Sequence, residues 1–206
     1  MNSDVGGVHI KSKLFQPIIS LPLLLACLTA SCAGVQGLTV SNAADTNAPA
    51  PFSISSAGVT NGVIADAYGK RGKQLKNNIP TRSLPISITG APRGTVCYAL
   101  IMLDPDSNPL CGYEWVHWLA VNITGANLAE NASIDNAGSM IQGKNDFGAI
   151  GYGGPTPPDK PHTYEITVYA LDSMPDIQNG FSKEELIKDM GGHILAQAVL
   201  KARYGN

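Results

Sequence analysis

Segments that alternate between apolar and polar residues with a period of two constrain the fold of this chain more than any other feature. They are rich in β-branched and aromatic side chains, which is typical of strands, and they cover residues 51–56, 84–88, 95–103, 115–123 and 163–171. Clusters of Gly, Pro, Asn and Asp separate them, as turns between strands require. The pattern predicts a mainly β, largely antiparallel domain.

Helix signals occur only near the C terminus. Ser182 and Glu185 have the spacing of a capping box, and Gly191 and Gly192 end the helix that it begins. Apolar residues at helical spacing predict a second helix over residues 193–202. Because the strands come first and the helices last, we expect both C-terminal helices at the periphery of the β domain.

Residues 1–32 have the pattern of an export signal, with positive charge ahead of a short apolar run. Two prolines interrupt this run, which is too short for a membrane span of about 20 residues. The segment is a lipoprotein signal, with Cys27 or Cys32 carrying the lipid, an ordinary signal that is cleaved after Ala33, or an anchor that stays uncleaved. We therefore expect an exported protein: a periplasmic protein, a membrane-anchored lipoprotein or, as the alternative, a secreted one.

Residues 33–50 are rich in Ala, Ser, Asn, Gly and Thr, and this composition predicts a flexible tether. Residues 51–206 are then the folded domain. The formal net charge is −2, so the chain lacks the positive surface that nucleic-acid binding needs. We expect no nucleic-acid partner, and contact with a membrane only through an N-terminal lipid anchor.

Two cysteines, Cys97 and Cys111, lie in the predicted domain. An exported chain can keep a disulfide, but this pairing requires the chain to double straight back after a Pro-rich loop. The pairing stays open. Neither a Cys-x-x-Cys motif nor a zinc-like spacing is present in the sequence, which argues against a redox or zinc site.

Asp104-Pro105-Asp106 is the first of three stretches that stand apart from this background. It follows a strand and places carboxylates at the edge of a sheet, although taken alone it is more typical of a turn. The second stretch contains His117, which alternation places on one face of its strand with Trp115, Leu119, Val121 and Ile123. A buried imidazole needs a partner, and Asp104 is the natural candidate, leaving the other ring nitrogen to face a pocket.

The third stretch is a loop over residues 151–158 that consists mostly of Gly and Pro. A strand that opens with His162 and Tyr164 follows it. The loop is either a rigid surface linker or a support that places these two side chains beside exposed backbone N–H groups, as an anion-binding rim requires.

In this order, Asp-Pro-Asp, His-Trp, Asn-Asp-Phe-Gly, Gly-Tyr-Gly-Gly-Pro-x-Pro-Pro and His-x-Tyr resemble the phosphatidylethanolamine-binding protein family, especially its bacterial, Raf kinase inhibitor-like branch. The resemblance runs from about residue 52 to residue 204. It implies a central antiparallel sheet, a second smaller sheet, peripheral helices and a pocket for a small anion such as phosphate or a phosphoethanolamine headgroup. Carried over residue by residue, it implies the pocket residues Asp104, His117, Tyr152, Pro157, Pro158, His162 and Tyr164.

Two positions depart from the family pattern. Thr163 stands where the family commonly has Arg, which removes one cationic group near the pocket. Ile88 stands where a Trp is usual. With one cation fewer, we expect modest anion affinity that improves as histidines protonate, around their ordinary pKa of about 6.5.

The resulting hypothesis is a non-enzymatic binding module of the cell envelope that needs no cofactor. One alternative is an inhibitor of proteases or other enzymes acting through its surface. Another is a weak hydrolase using His117 and Asp104, although the sequence has no Gly-x-Ser-x-Gly motif. A metal site of Asp104, Asp106, His117 and His162 is a further alternative that lacks any short His spacing. The oligomeric state stays open, with a homodimer as one option.

Overall fold

The structure is a computed structural model in which residues 50–205 are described. The predicted export signal and all of the predicted tether except Ala50 lie outside the described residues. Within residues 50–205, no helix combines the length and apolar character that crossing a membrane requires.

Strands dominate the described residues, as the alternating pattern predicts. They are β1 Ser53–Ser55, β2 Val59–Thr60, β3 Val63–Ile64, β4 Leu75–Lys76, β5 Ile79–Pro80, β6 Ile86–Thr89, β7 Cys97–Asp104, β8 Trp115–Ile123, β9 Asn127–Leu128, β10 Ile141–Gln142, β11 His162–Leu171 and β12 Ile194–Tyr204. The helices are short: α1 Asn108–Cys111, α2 Ala132–Asp135 and α3 Lys183–Asp189, with 3-10 turns at Asp66–Tyr68, Pro105–Ser107 and Ala137–Ser139.

The central sheet has seven strands in the order β10-β8-β7-β11-β12-β3-β2. All of its pairings are antiparallel except the single contact of β12 with β3, where Arg203 lies opposite Val63. A smaller sheet has the order β1-β6-β9, and β4 and β5 form a hairpin. The predicted architecture of a central, mainly antiparallel sheet with a second smaller one is confirmed.

The prediction of a second C-terminal helix is wrong, because residues 194–204 form β12. This strand pairs with β11 from His162 opposite Tyr204 to Leu171 opposite Ile194, with a register shift between Ala170 and Leu171. The apolar spacing over residues 194–199 fits a helix and a strand equally well. The open edge of β11 decides between them, since pairing there satisfies the backbone N–H and C=O groups of both strands.

The first predicted helix is confirmed as α3. Glu185 N donates to Ser182 Oγ (3.2 Å), and Ser182 N donates to Glu185 Oε2 (2.8 Å), which completes the capping box. Leu186 is fully buried and anchors the helix on the sheet.

Two apolar clusters cover the two faces of the central sheet. The larger lies between the central and the smaller sheet and includes Trp118, Tyr152, Tyr164 and Ile166. The second lies under α3 and includes Val116, Leu119, Val121, Phe181 and Leu186. Both domain cysteines have free thiols, Cys97 buried and Cys111 exposed, so the disulfide left open by the sequence is not formed.

Candidate functional site

A β-bulge in β8 sets the direction of the His117 side chain. Across β7 and β8, Met102 lies opposite Trp118 but Leu103 lies opposite Val116, so His117 is the extra residue between the two pairs. An extra residue bends a strand and turns its side chains. The bulge therefore directs the imidazole out of the regular alternation of β8.

The bulge also corrects the predicted strand face. Leu119 and Val121 do not share a face with His117, because they pack in the cluster under α3. The His117 ring instead lies edge-on to Tyr164, whose ring centroid is 5.1 Å away, and to Phe147 at 5.6 Å. Strict alternation fails here because the bulge reverses the face within the strand.

The hydrogen-bond partner of His117 is a backbone carbonyl and not the predicted Asp104. Nδ1 lies 2.6 Å from the carbonyl oxygen of Gly153, which can only accept, so Nδ1 carries the hydrogen. Burial lowers the pKa of His117, and the bond to Gly153 only partly opposes this shift. At neutral pH the ring is therefore neutral, and its Nε2 presents a lone pair.

Asp104 instead pairs with the second predicted histidine. The Nδ1 of His162 lies 2.7 Å from Asp104 Oδ2, and its Nε2 lies 2.9 Å from Asp159 Oδ1. Burial lowers the pKa of His162, but the two carboxylate hydrogen bonds outweigh it and raise that pKa. The hydrogen bond from His162 in turn lowers the pKa of Asp159. His162 is thus an imidazolium held between two carboxylates.

These groups border a cavity of about 290 Å³. Among the predicted site residues, the cavity is lined by Asp104, His117, Pro158 and His162. The lining residues that the sequence reasoning missed are Ser107, Leu110, Cys111, Trp115, Phe147 and Thr156. The segment that follows β7, the start of β8 and the loop before β11 therefore meet here.

The other predicted residues occupy different places. Tyr164 is fully buried, with its ring packed against both histidine rings. Tyr152 does not line the cavity; its hydroxyl donates to the carbonyl oxygen of Tyr68 (2.8 Å), and its ring packs edge-on to Trp118 in the core. Pro157 is also outside the lining, and its carbonyl accepts from Lys70 Nζ (2.8 Å).

Aromatic rings form one wall of the cavity. Trp115 lies edge-on to Phe147, with 5.4 Å between ring centroids, and stacks on Tyr113 at 6.0 Å. Asp146 Oδ2 accepts from the backbone N–H of Val116 (2.7 Å), which holds the loop bearing Phe147 against β8. The Asn-Asp-Phe-Gly motif was the sequence signal that could have located this wall.

Polar atoms without partners mark the same place. The buried side-chain atoms of the described residues that form no hydrogen bond are Arg82 Nε, Asp104 Oδ1, Trp115 Nε1 and the Tyr164 hydroxyl. All except Arg82 Nε belong to the cavity lining or to the tyrosine behind it. Burial, and after it the charge of Asp104, raises the pKa of Tyr164, so this hydroxyl stays protonated. Buried polar groups nearly always find partners, and these atoms are therefore suited to a ligand.

A family model described as Phosphatidylethanolamine-binding protein matches residues 54–205. The chain belongs to this family. The "Uncharacterized protein YxkA" of Bacillus subtilis is 38% identical over 156 residues, covering 68% of this chain and 93% of that protein. A UPF0098 protein of Chlamydia trachomatis is 40% identical over 126 residues, covering 59% of this chain and 81% of that protein.

Solved structures of the phosphatidylethanolamine-binding protein family show the same fold. CT736 of Chlamydia trachomatis, described as a homolog from this family, has a TM-score of 0.66 at 34% identity, covering 75% of this chain and 97% of its own. Escherichia coli YbcL, described as a member of the mammalian family, has a TM-score of 0.66 at 28% identity, covering 76% and 99%.

Within residues 50–205, the groups considered for a hydrolase triad or a metal site have other hydrogen-bond partners. Ser107 Oγ donates toward the carbonyl oxygens of Asp104 (2.6 Å) and Tyr113 (2.9 Å) and accepts from Trp115 N (2.8 Å). Asp106 Oδ2 accepts from Thr163 N (2.7 Å). Over residues 50–205, no group of three or more His, Cys, Asp and Glu side chains is placed to hold a metal ion.

Proposed function

We propose that this phosphatidylethanolamine-binding protein family member is a non-enzymatic binding protein whose cavity holds a small oxyanion, either phosphate or the phosphoryl group of a headgroup such as phosphoethanolamine. The observation that carries the proposal is the set of unpartnered buried atoms at the cavity. Trp115 lines the cavity, and its Nε1–H is a donor; the Tyr164 hydroxyl belongs to a residue outside the lining that interacts with Asp104. A bound oxyanion would accept a hydrogen bond from Trp115 Nε1.

Electrostatics support modest affinity. The positive charge of His162 is matched by Asp104 and Asp159, and neither Lys nor Arg lines this cavity. Thr163, in place of the Arg common in the family, adds no charge. Binding must therefore rely on directed hydrogen bonds and on protonation of His117, which would make Nε2 a charged donor.

Phosphate is expected to raise the thermal midpoint of the protein, and more so near pH 5.5 than near pH 8. Because burial lowers the pKa of His117, the ring is neutral near pH 8. A bound anion stabilises the protonated ring, and this contribution begins only as the pH falls below the ordinary histidine pKa of about 6.5. A ligand present at about 100 times its dissociation constant adds about 2.7 kcal/mol of stability, a shift of several degrees. Differential scanning fluorimetry with and without millimolar phosphate measures this shift.

The matched pair of variants for this experiment is His117→Ala and His193→Ala. His193 is half-exposed and pairs with Asp172 away from the cavity. His117→Ala is expected to abolish the phosphate-dependent shift, whereas His193→Ala is expected to retain it. An equal shift in both variants would contradict the proposal.

We further propose that the protein acts in the cell envelope, because residues 1–32 have the pattern of an export signal. The intact mass of the purified native protein tests this. Loss of the leader, with or without lipid on Cys27 or Cys32, is the expected result. A native protein that starts at Met1 in the cytoplasmic fraction would contradict it.

A further inference from the structure

Two hydrogen-bond acceptors line the cavity with no donor opposite them. Asp104 is 4% exposed, and its Oδ2 accepts from His162 while its Oδ1 is buried without a partner. His117 donates through Nδ1 to Gly153, so its Nε2 carries a lone pair as long as the ring is neutral. Both residues border the space in which a ligand would lie.

Acceptors of this kind require a hydrogen-bond donor on the ligand. The oxygens of an anion without an acidic proton, such as sulfate or a phosphodiester, would be repelled by the negatively charged Asp104 Oδ1. Singly or doubly ionised inorganic phosphate and singly ionised phosphomonoesters keep at least one P–OH group, which can donate to that oxygen. A buried acceptor left unpaired costs far more than the bond itself contributes.

We propose that Asp104 makes the cavity selective for oxyanions that carry an acidic proton, namely inorganic phosphate and singly protonated phosphomonoesters, against sulfate and phosphodiesters. The inference rests on the proposed function and names the ligand class that this function takes.

No well-formed hydrogen bond from the protein reaches Asp104 Oδ1. The candidate donor is the Tyr164 hydroxyl: after burial, a hydrogen-bonding contact with Asp104 is among the causes that raise the pKa of Tyr164, although the two atoms do not meet in ordinary hydrogen-bond geometry. If the hydroxyl donates to Asp104, the tyrosine oxygen has only lone pairs left, and the ligand must then donate a hydrogen bond to that oxygen instead. The His162 protons are already directed at Asp104 Oδ2 and Asp159.

Calorimetric titration of the full chain near pH 6.5 with four ions tests this selectivity. Inorganic phosphate and phosphoethanolamine, a monoester whose second pKa is about 6, are expected to bind. Sulfate and dimethyl phosphate, which have no acidic proton, are expected to bind at least about 100-fold more weakly. These ions need no variant, so the test stands whether or not any variant folds.

Asp104→Asn provides the complementary test, because the amide oxygen can still accept from His162 while the amide N–H₂ replaces Oδ1. This variant is expected to bind sulfate at least about 10-fold more tightly than the unaltered chain. Asp106→Asn is the matched control: it makes the same chemical change on a carboxylate that binds Thr163 N outside the cavity lining. Its preference for phosphate over sulfate is expected to stay unchanged.

The outcomes separate the two proposals. Sulfate or dimethyl phosphate binding as tightly as phosphate would overturn the selectivity and leave the oxyanion-binding function in place. Glycerophosphoethanolamine, a phosphodiester with an ammonium group, distinguishes the sources: affinity equal to that of phosphate would overturn the proposal in favour of an intact lipid headgroup. Absence of binding by every ion would overturn the proposed function, and the selectivity with it.

Discussion

Gly154→Ala is expected to lower the free energy of unfolding by about 3 kcal/mol, near the upper end for adding one methyl group to a packed site. A Cβ at this position would collide with the carbonyl oxygen of Tyr68 and lie 2.8 Å from Pro80 Cβ. Gly154 N also donates to the carbonyl oxygen of Pro80 (2.8 Å), so the loop cannot move away from Tyr68 without losing this hydrogen bond. Movement here would also displace Gly153, the partner of His117.

Denaturant unfolding of the Gly154→Ala chain measures this loss, which corresponds to about 6–12 °C in the thermal midpoint of a domain of this size. Gly138→Ala is the matched control, because a Cβ there meets no heavy atom within 4 Å. The control is expected to change stability by less than about 0.5 kcal/mol. A loss below about 1 kcal/mol for Gly154→Ala would show that the loop is less tightly packed than the structure indicates.

Asp104→Ala is expected to destabilise the protein by about 3 kcal/mol near pH 5.5 and by clearly less near pH 9. The substitution leaves the buried, charged His162 with Asp159 as its remaining carboxylate partner. Since the fold raises the pKa of His162, the stability contributed by its protonated form is fully present below the ordinary value of about 6.5. It is lost as the pH rises through the raised value.

The control for this substitution is Asp172→Ala, which removes the carboxylate from the half-exposed pair of Asp172 and His193 (2.8 Å). Solvent screens that pair, so a change within about 1 kcal/mol is expected at either pH. Unfolding free energies of the two variants and the unaltered chain at both pH values provide the comparison. Equal destabilisation by Asp104→Ala at both pH values would contradict the assignment of His162 as an imidazolium.

The two histidines therefore serve different purposes at the cavity. His162 is charged, has both nitrogens engaged and ties the loop before β11 to the end of β7. His117 is neutral and has one nitrogen available. The sequence-based expectation treated both as anion donors that protonate around pH 6.5; the structure shifts the pKa of His117 down and that of His162 up. Of these two histidines, His117 is the one that we propose links pH to ligand binding.

Part of the fold and of the site was predictable from local signals. Alternation predicted β8 over Trp115–Ile123, and the capping box at Ser182 predicted α3, because both patterns depend on residues close together in the chain. The resemblance indicated Asp104, His117, Pro158 and His162, which all line one cavity. It did not indicate that Trp115 lines the cavity, or that Tyr152 packs in the core and does not line it.

What local signals left undecided depends on residues far apart in the sequence. Residues 194–204 have apolar spacing that suits a helix, but the free edge of β11 makes them a strand. The bulge at His117 follows from how β7 and β8 align. Its partner, Gly153, lies 36 positions along the chain, on a loop that packs against the backbone of Tyr68 and Pro80. The sequence by itself thus determined the strands, the helix cap and the residue types at the site. Only the tertiary structure decided which strands pair and which group each histidine bonds, because hydrogen bonds between distant segments form only once the chain has folded.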